Sequence, residues 1–160
     1  MRAPRRRPSS RLMIGITVAM LALLVPTVGS APGATKKKKH KVDVSVRAAR
    51  VASSADGTTV AGTFDGKPFG SGAAVYMTRA AGSDLAARVR AFTAKGSLRG
   101  TSLVTPAPQP DGTVSFSGTL QVKGGTGRYR GARGKDLQVT GTFNPQENLF
   151  TFHITGTVRY

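Results

Sequence analysis

The chain has 160 residues, no cysteine and a formal net charge of +17 at pH 7. A chain of this length accommodates one domain, and without cysteine it has neither disulfides nor thiolate metal ligands. A charge this positive normally points to nucleic acid, but much of it is concentrated near the N-terminus, so its distribution matters more than its sum.

The first 30 residues have the three parts of a secretory signal peptide. Five arginines precede the uncharged run LMIGITVAMLALLV (Leu12–Val25), and the small-residue stretch PTVGSAPGA follows. The sequence therefore predicts an N-terminal signal helix over residues 1–30, cleaved after Ser30, on a bacterial protein that is secreted or held in the cell envelope. The alternative is a retained membrane anchor, although the run of 14 residues is shorter than the roughly 20 that span a bilayer.

Residues 31–41, APGATKKKKHK, combine dense like charge with no apolar periodicity. This composition predicts a disordered basic tail. Each basic residue close to an anionic bilayer contributes about 1 kcal/mol to binding, so the tail is a candidate for holding the protein to an anionic cell-wall polymer or membrane surface. The candidate polyanion-binding residues are Lys36, Lys37, Lys38, Lys39 and Lys41.

From Val42 to Tyr160 the sequence predicts an all-β domain, because short alternating runs are separated by glycine- and proline-rich turns. The fourth run also has helical spacing, but AKGSL after it favours a hairpin and hence a strand. The eight predicted strands are Val42–Ala52, Thr58–Asp65, Phe69–Arg79, Leu85–Ala94, Ser97–Thr105, Thr113–Lys123, Lys135–Asn144 and Leu149–Tyr160.

Four predicted strands share the pattern apolar-x-Gly-Thr-apolar: VAGTF, FSGTL, VTGTF and ITGTV. In each, the glycine is in phase with the apolar residues, so it falls on the inner face, where a missing side chain lets the sheet bend sharply. The sequence therefore predicts an eight-stranded antiparallel closed β-barrel, wide enough for side chains or one small ligand. A β-sandwich is the alternative.

Aromatic residues in phase with these glycines are predicted to point into the barrel. An interior with many aromatic rings and little charge suits a small hydrophobic ligand held by shape. The alternative is a core that side chains fill completely. The candidate ligand-binding residues are Phe64, Phe116, Phe143, Phe152 and Tyr160.

The stretch VKGGTGRYRGARGKD, between the sixth and seventh predicted strands, is rich in glycine and arginine. It fails the P-loop pattern, because Tyr129 stands where the first glycine is required and Asp136 follows Lys135. Single-stranded RNA binding needs a stacking platform, and this stretch has one aromatic residue. We therefore predict a turn between two strands, with its basic side chains directed to solvent.

This turn resembles the Gly-Gly-Thr-Gly-x-aromatic-x-x-Ala-x-Gly segment of the allene oxide cyclase and dirigent barrel superfamily. The resemblance implies a calycin-like barrel, often trimeric, that holds a reactive hydrophobic intermediate and steers its cyclisation or coupling without a metal or organic cofactor. The aspartate-bearing N-terminal motif of plant dirigents is not found, so no catalytic residue carries over. The structural turn residues that match are Gly124, Gly125, Thr126, Gly127, Tyr129, Ala132 and Gly134.

Other chemistry has little support in the sequence. Most of the seven carboxylates lie in or beside predicted turns, and no two are spaced as an acid and a base on one strand face. His40 and His153 are too few for a metal site without cysteine, and no Gly-x-Ser-x-Gly elbow indicates a hydrolase. We predict no metal, no cofactor and no nucleic-acid partner; whether the protein is an enzyme stays open.

Overall fold

The computed structural model describes residues 37–160, which form eight β-strands and one short 3₁₀ helix. The predicted signal helix and Lys36 lie outside these residues. Nowhere in residues 37–160 is there a helix with the length and apolar character needed to cross a membrane. The strands are β1 (Lys39–Ser54), β2 (Gly57–Lys67), β3 (Gly72–Ala81), β4 (Asp84–Thr93), β5 (Gly96–Pro108), β6 (Val114–Gly125), β7 (Gly134–Asn144) and β8 (Leu149–Arg159), and the 3₁₀ helix is Gly127–Tyr129.

The strands form one closed antiparallel barrel. Each strand pairs with the next in the chain, and β8 pairs with β1 to complete the circle. The predicted eight-stranded barrel is therefore confirmed and the sandwich is excluded. The fourth element is a strand, paired with β3 and β5 over its length.

Strict alternation along β1 shows how the sequence builds the inner face. Val42, Val44, Val46 and Ala48 are buried, and the residues between them are exposed. On β8, which pairs with β1, Phe150, Ile154 and Val158 are buried in the same way. Side chains of successive residues point to opposite faces of a strand, so each strand contributes every second residue to the core.

The two ends of the barrel differ in their connections. At one end lie the start of β1, the β2–β3, β4–β5 and β6–β7 connections, and Tyr160; we call it the closed end, because aromatic side chains fill it. At the other end lie the β1–β2, β3–β4, β5–β6 and β7–β8 turns. We call that the open end, because a cavity lies within it.

The prediction that the disordered tail extends to Lys41 is wrong, because β1 begins at Lys39. Lys39 and Lys41 belong to β1 and pair with Arg159 and Thr157 of β8. Pairing overrides charge here because both lysine side chains point outward and are exposed, and the inward His40 ring stacks on Tyr160 with ring centroids 4.3 Å apart.

The glycines of the Gly-Thr pattern allow neighbouring strands to approach closely. A Cβ added to Gly118 would overlap the carbonyl oxygen of Leu103 and lie 2.6 Å from the Cα of Val104, both on β5. A Cβ on Gly141 would overlap the carbonyl oxygen of Thr151 on β8. These glycines lie in the inner phase, as predicted, but the obstacle to a side chain is the backbone of the neighbouring strand.

Gly118→Ala is therefore expected to destabilise the barrel, whereas Thr119→Val on the outward-facing next position is not. Backbone cannot move aside as a flexible side chain can, so we expect Gly118→Ala to lower the free energy of unfolding by at least ~1–3 kcal/mol. Thr119→Val should stay within about 0.5 kcal/mol. Denaturant melts of both variants measure this, and equal losses would contradict the assignment of the two faces.

Candidate ligand-binding chamber

The open end of the barrel contains a cavity of ≈ 370 Å³, which we call the chamber. Its wall is mainly hydrocarbon and is contributed by all eight strands, with Val60, Leu85, Val104 and Val139 among its residues. A smaller space of ≈ 60 Å³ is lined by other core residues and shares Tyr76, Leu120 and Ile154 with the chamber. The barrel interior is thus partly filled by side chains and partly hollow. It lies between the two alternatives from the sequence, a ligand cavity and a completely filled core.

Four phenylalanines form one continuous aromatic part of the chamber wall. Phe143 and Phe150 are stacked with ring centroids 4.1 Å apart. Phe152 lies 5.9 Å from Phe150, and Phe116 lies 6.1 Å from both Phe150 and Phe152. Aromatic pairs at such distances stabilise one another beyond simple burial, so this wall offers a guest a surface of defined shape.

Arg50 is the charged residue among those that line the chamber. Its guanidinium carbon lies 5.1 Å from the centre of the Phe143 ring, a cation–π contact. The Asn148 side chain fixes the Arg50 backbone, because its Oδ1 accepts from the Arg50 N–H at 3.2 Å and its Nδ2 donates to the Arg50 carbonyl at 3.1 Å. Asn148 makes both bonds from a left-handed conformation with φ of 50°, which asparagine tolerates well.

Four hydroxyl groups also belong to the wall, those of Thr58, Tyr76, Thr78 and Ser102. The Ser102 hydroxyl donates to the Thr119 carbonyl and the Thr78 hydroxyl to the Thr58 carbonyl, each at 2.9 Å. Tyr76 is different, because burial alone raises the pKa of its hydroxyl, with no hydrogen bond contributing. Its phenol therefore stays protonated well above neutral pH and remains a hydrogen-bond donor.

The closed end is plugged by the predicted glycine-rich turn. Tyr129 is 1% exposed and meets Phe69 and Tyr160 edge-on, with ring centroids 5.6 and 5.1 Å apart. Gly125 has no room for a side chain, since a Cβ there would lie 2.7 Å from the Tyr129 carbonyl oxygen. The stretch joins β6 to β7 through the 3₁₀ helix, and its basic side chains Arg128, Arg130 and Arg133 are exposed.

Thr126 precedes the 3₁₀ helix but does not cap it with its side chain. Its hydroxyl makes no bond to the 3₁₀ helix that follows. It accepts instead from the Ser97 N–H at 3.0 Å and meets the Ser97 hydroxyl at 2.8 Å, so Thr126 ties the turn to the start of β5. The same strand start is also held through the backbone, because the Thr126 N–H donates to the Ser97 carbonyl at 2.9 Å.

The structure distributes the five predicted ligand-binding residues over three places. Phe116, Phe143 and Phe152 line the chamber. Phe64 lines the smaller space, and Tyr160 lies at the closed end against Tyr129. The chamber wall also includes residues that the sequence did not indicate, among them Arg50, Tyr76 and Phe150.

The chain matches no protein-family model, no curated protein and no solved structure. Within residues 37–160, no three His, Cys, Asp or Glu side chains are grouped so that they could hold a metal ion. Functional conclusions therefore depend on the chamber and on the distribution of charge over the barrel surface.

Tyr129→Ala is expected to cost ~3–5 kcal/mol of stability, the usual loss for a fully buried aromatic residue. Tyr129→Phe is the matched control. The Tyr129 hydroxyl has only a long contact, 3.4 Å, with the Thr93 hydroxyl, so the phenylalanine variant should lose less than about 1 kcal/mol. Thermal melts compare the two; a large loss in Tyr129→Phe would mean that the hydroxyl, not the ring, holds the plug.

Proposed function

We propose that this protein is a secreted barrel that binds a small hydrophobic molecule in the chamber. The chamber itself carries this proposal. Its volume of ≈ 370 Å³ lies within the range of about 300–1,000 Å³ typical of small-molecule sites. Its wall is apolar and aromatic with a few polar groups, which is the usual composition of such sites.

The resemblance of the Gly124–Gly134 turn to allene oxide cyclase and dirigent barrels adds a reaction to the proposal. A reactive guest held in one conformation by rigid strands reacts along fewer paths than it does in water. Among the chamber-lining residues there is no carboxylate or histidine, so the wall would act by shape and by exclusion of water. The proposed activity is accordingly the steering of a cyclisation or coupling.

Filling the chamber tests the proposal directly. Ala87 lines the chamber on β4, so Ala87→Phe places a ring in the space that a guest would occupy. Ala86, the next residue, faces outward by strand alternation, so Ala86→Phe is the matched control. The neutral dye N-phenylnaphthylamine, which fluoresces in apolar surroundings, is expected to bind the wild type and Ala86→Phe, and to bind Ala87→Phe at least tenfold more weakly.

Circular dichroism of the two variants establishes that each barrel is folded. Equal dye binding by the wild type and a folded Ala87→Phe variant would place the dye outside the chamber. No dye binding by the wild type would count against a hydrophobic site altogether.

The distribution of charge favours a second candidate function, attachment to an anionic surface of the cell envelope. Of the seven carboxylates, Asp56, Asp84, Asp111 and Glu147 lie at the open end, and Asp43, Asp65 and Asp136 lie toward the closed end. The closed end is strongly basic, well beyond the predicted tail: its cationic residues are Lys37, Lys38, Lys39, Lys41, Lys67, Lys95, Arg99, Lys123, Arg128, Arg130, Arg133, Lys135 and Arg159.

Substitution separates the contribution of the tail from that of the barrel. Deleting the whole lysine run would remove the first residues of β1, so the tail variant changes Lys36, Lys37 and Lys38 to Gln. The barrel variant changes the exposed Lys95, Arg128 and Arg130 to Gln. Residues 1–30 are removed from every protein compared, so that the apolar run does not contribute to binding.

With about 1 kcal/mol per basic residue, each triple variant should bind phosphatidylglycerol vesicles up to roughly a hundredfold more weakly at low salt. Salt should release the wild type. A parallel arm with purified anionic wall polymer identifies the preferred surface. Wild-type binding that neither variant weakens would refute attachment through the closed end.

A further inference from the structure

Tyr76 lies at the boundary between the chamber and the smaller space, since it lines both. It belongs to β3 and pairs with Val60 of β2 and Val89 of β4. Both valines are buried, so all three side chains point into the barrel. The Phe152 ring packs against Tyr76 with ring centroids 5.6 Å apart, which places the phenol against the aromatic wall.

The Tyr76 hydroxyl is a donor that the barrel itself does not use. No described side chain or backbone group hydrogen-bonds to it, and no hydrogen bond contributes to its raised pKa. It is also not sealed in packed protein, because no fully enclosed side-chain oxygen or nitrogen of residues 37–160 lacks a partner. The hydroxyl therefore borders open space inside the barrel.

The other polar groups of the wall are already engaged. The Ser102 and Thr78 hydroxyl protons go to backbone carbonyls. The Thr58 hydroxyl meets the Ser53 hydroxyl at 3.4 Å, and the Arg50 guanidinium lies over Phe143.

Arg50 lines the chamber but not the smaller space. Arg99 lines the smaller space, but its side chain is exposed and its guanidinium lies beside Gly124 at the closed end. An anion at Tyr76 would lose its hydration in an apolar wall, which is costly without a paired cation. A neutral acceptor avoids that cost.

We propose that the Tyr76 hydroxyl donates a hydrogen bond to a neutral oxygen of the bound molecule, a carbonyl or an ether. The ligand class is then an apolar, ring-sized body with one such oxygen directed toward the middle of the barrel. This inference rests on the proposed ligand-binding function and narrows its substrate. Tyr76 is a binding and orienting residue in this assignment: the oxygen fixes which way the guest lies along the aromatic wall.

Benzophenone and diphenylmethane form a matched pair of probes, because they differ at the central carbon by a carbonyl oxygen. Displacement of N-phenylnaphthylamine gives the affinity of each for the purified protein. A neutral hydrogen bond inside a protein corresponds to roughly a two- to tenfold change in affinity. The wild type should therefore prefer benzophenone by that factor, and Tyr76→Phe should lose the preference by weakening benzophenone binding.

Tyr160→Phe is the matched control variant, because Tyr160 lies at the closed end, outside both spaces. It should retain the preference for benzophenone. Infrared difference spectra give a second measurement: the carbonyl stretch of bound benzophenone should shift to lower frequency in the wild type and in Tyr160→Phe, and should lack this shift in Tyr76→Phe. Tyr76→Phe should melt no lower than the wild type, since its hydroxyl holds no part of the barrel.

The outcomes separate the two proposals. Binding of both probes without a preference, or a preference that survives in Tyr76→Phe, overturns the assignment of Tyr76 and leaves the hydrophobic site in place. Failure of both probes to bind the wild type overturns the proposed function and the Tyr76 assignment with it.

Discussion

The pairing of β8 with β1 is the constraint on which the rest of the structure depends. An open eight-stranded sheet would expose two unpaired edges, each a template for aggregation, and this chain has no disulfide to hold such a sheet in place. Closure gives the backbone N–H and C=O groups of both edge strands their hydrogen-bond partners at once. It also creates an interior, because the inner faces of all eight strands then converge. The chamber, the aromatic wall and the closed end all exist only inside that circle.

Most of the fold could be predicted from local sequence patterns, because a closed sheet repeats one rule along the chain. Alternation predicts the inward position of Phe152 on β8, where it lines the chamber, and the Gly-Thr pattern indicates curvature. The ends of the strands are harder to predict from local patterns, because they depend on hydrogen bonds to other segments of the chain. β3 begins at Gly72 and not at Phe69, since the N–H groups of Phe69 and Gly70 donate to the Gly66 carbonyl and form a turn there.

The candidate site was only partly predictable. Alternation gives the face on which a side chain lies but not its depth along the barrel axis, so Tyr160 was grouped with Phe116 although the two lie at different places in the barrel. Tyr76 was missed because apolar residues occupy both faces of β3, where Val75 and Met77 alternate with it. Arg50 is in phase with Ala48, but its charge argued against an inward position.

Because the chamber is hollow, the barrel lacks side-chain packing that a smaller interior would have. Strand closure supplies the rigidity that side chains in contact would otherwise provide, and the apolar wall stays without partner atoms. A molecule that binds there and not to the unfolded chain must stabilise the fold by linkage, in proportion to the logarithm of its concentration above Kd. The melting temperature of this protein therefore reports whether the chamber is occupied, and measuring it requires no knowledge of the reaction.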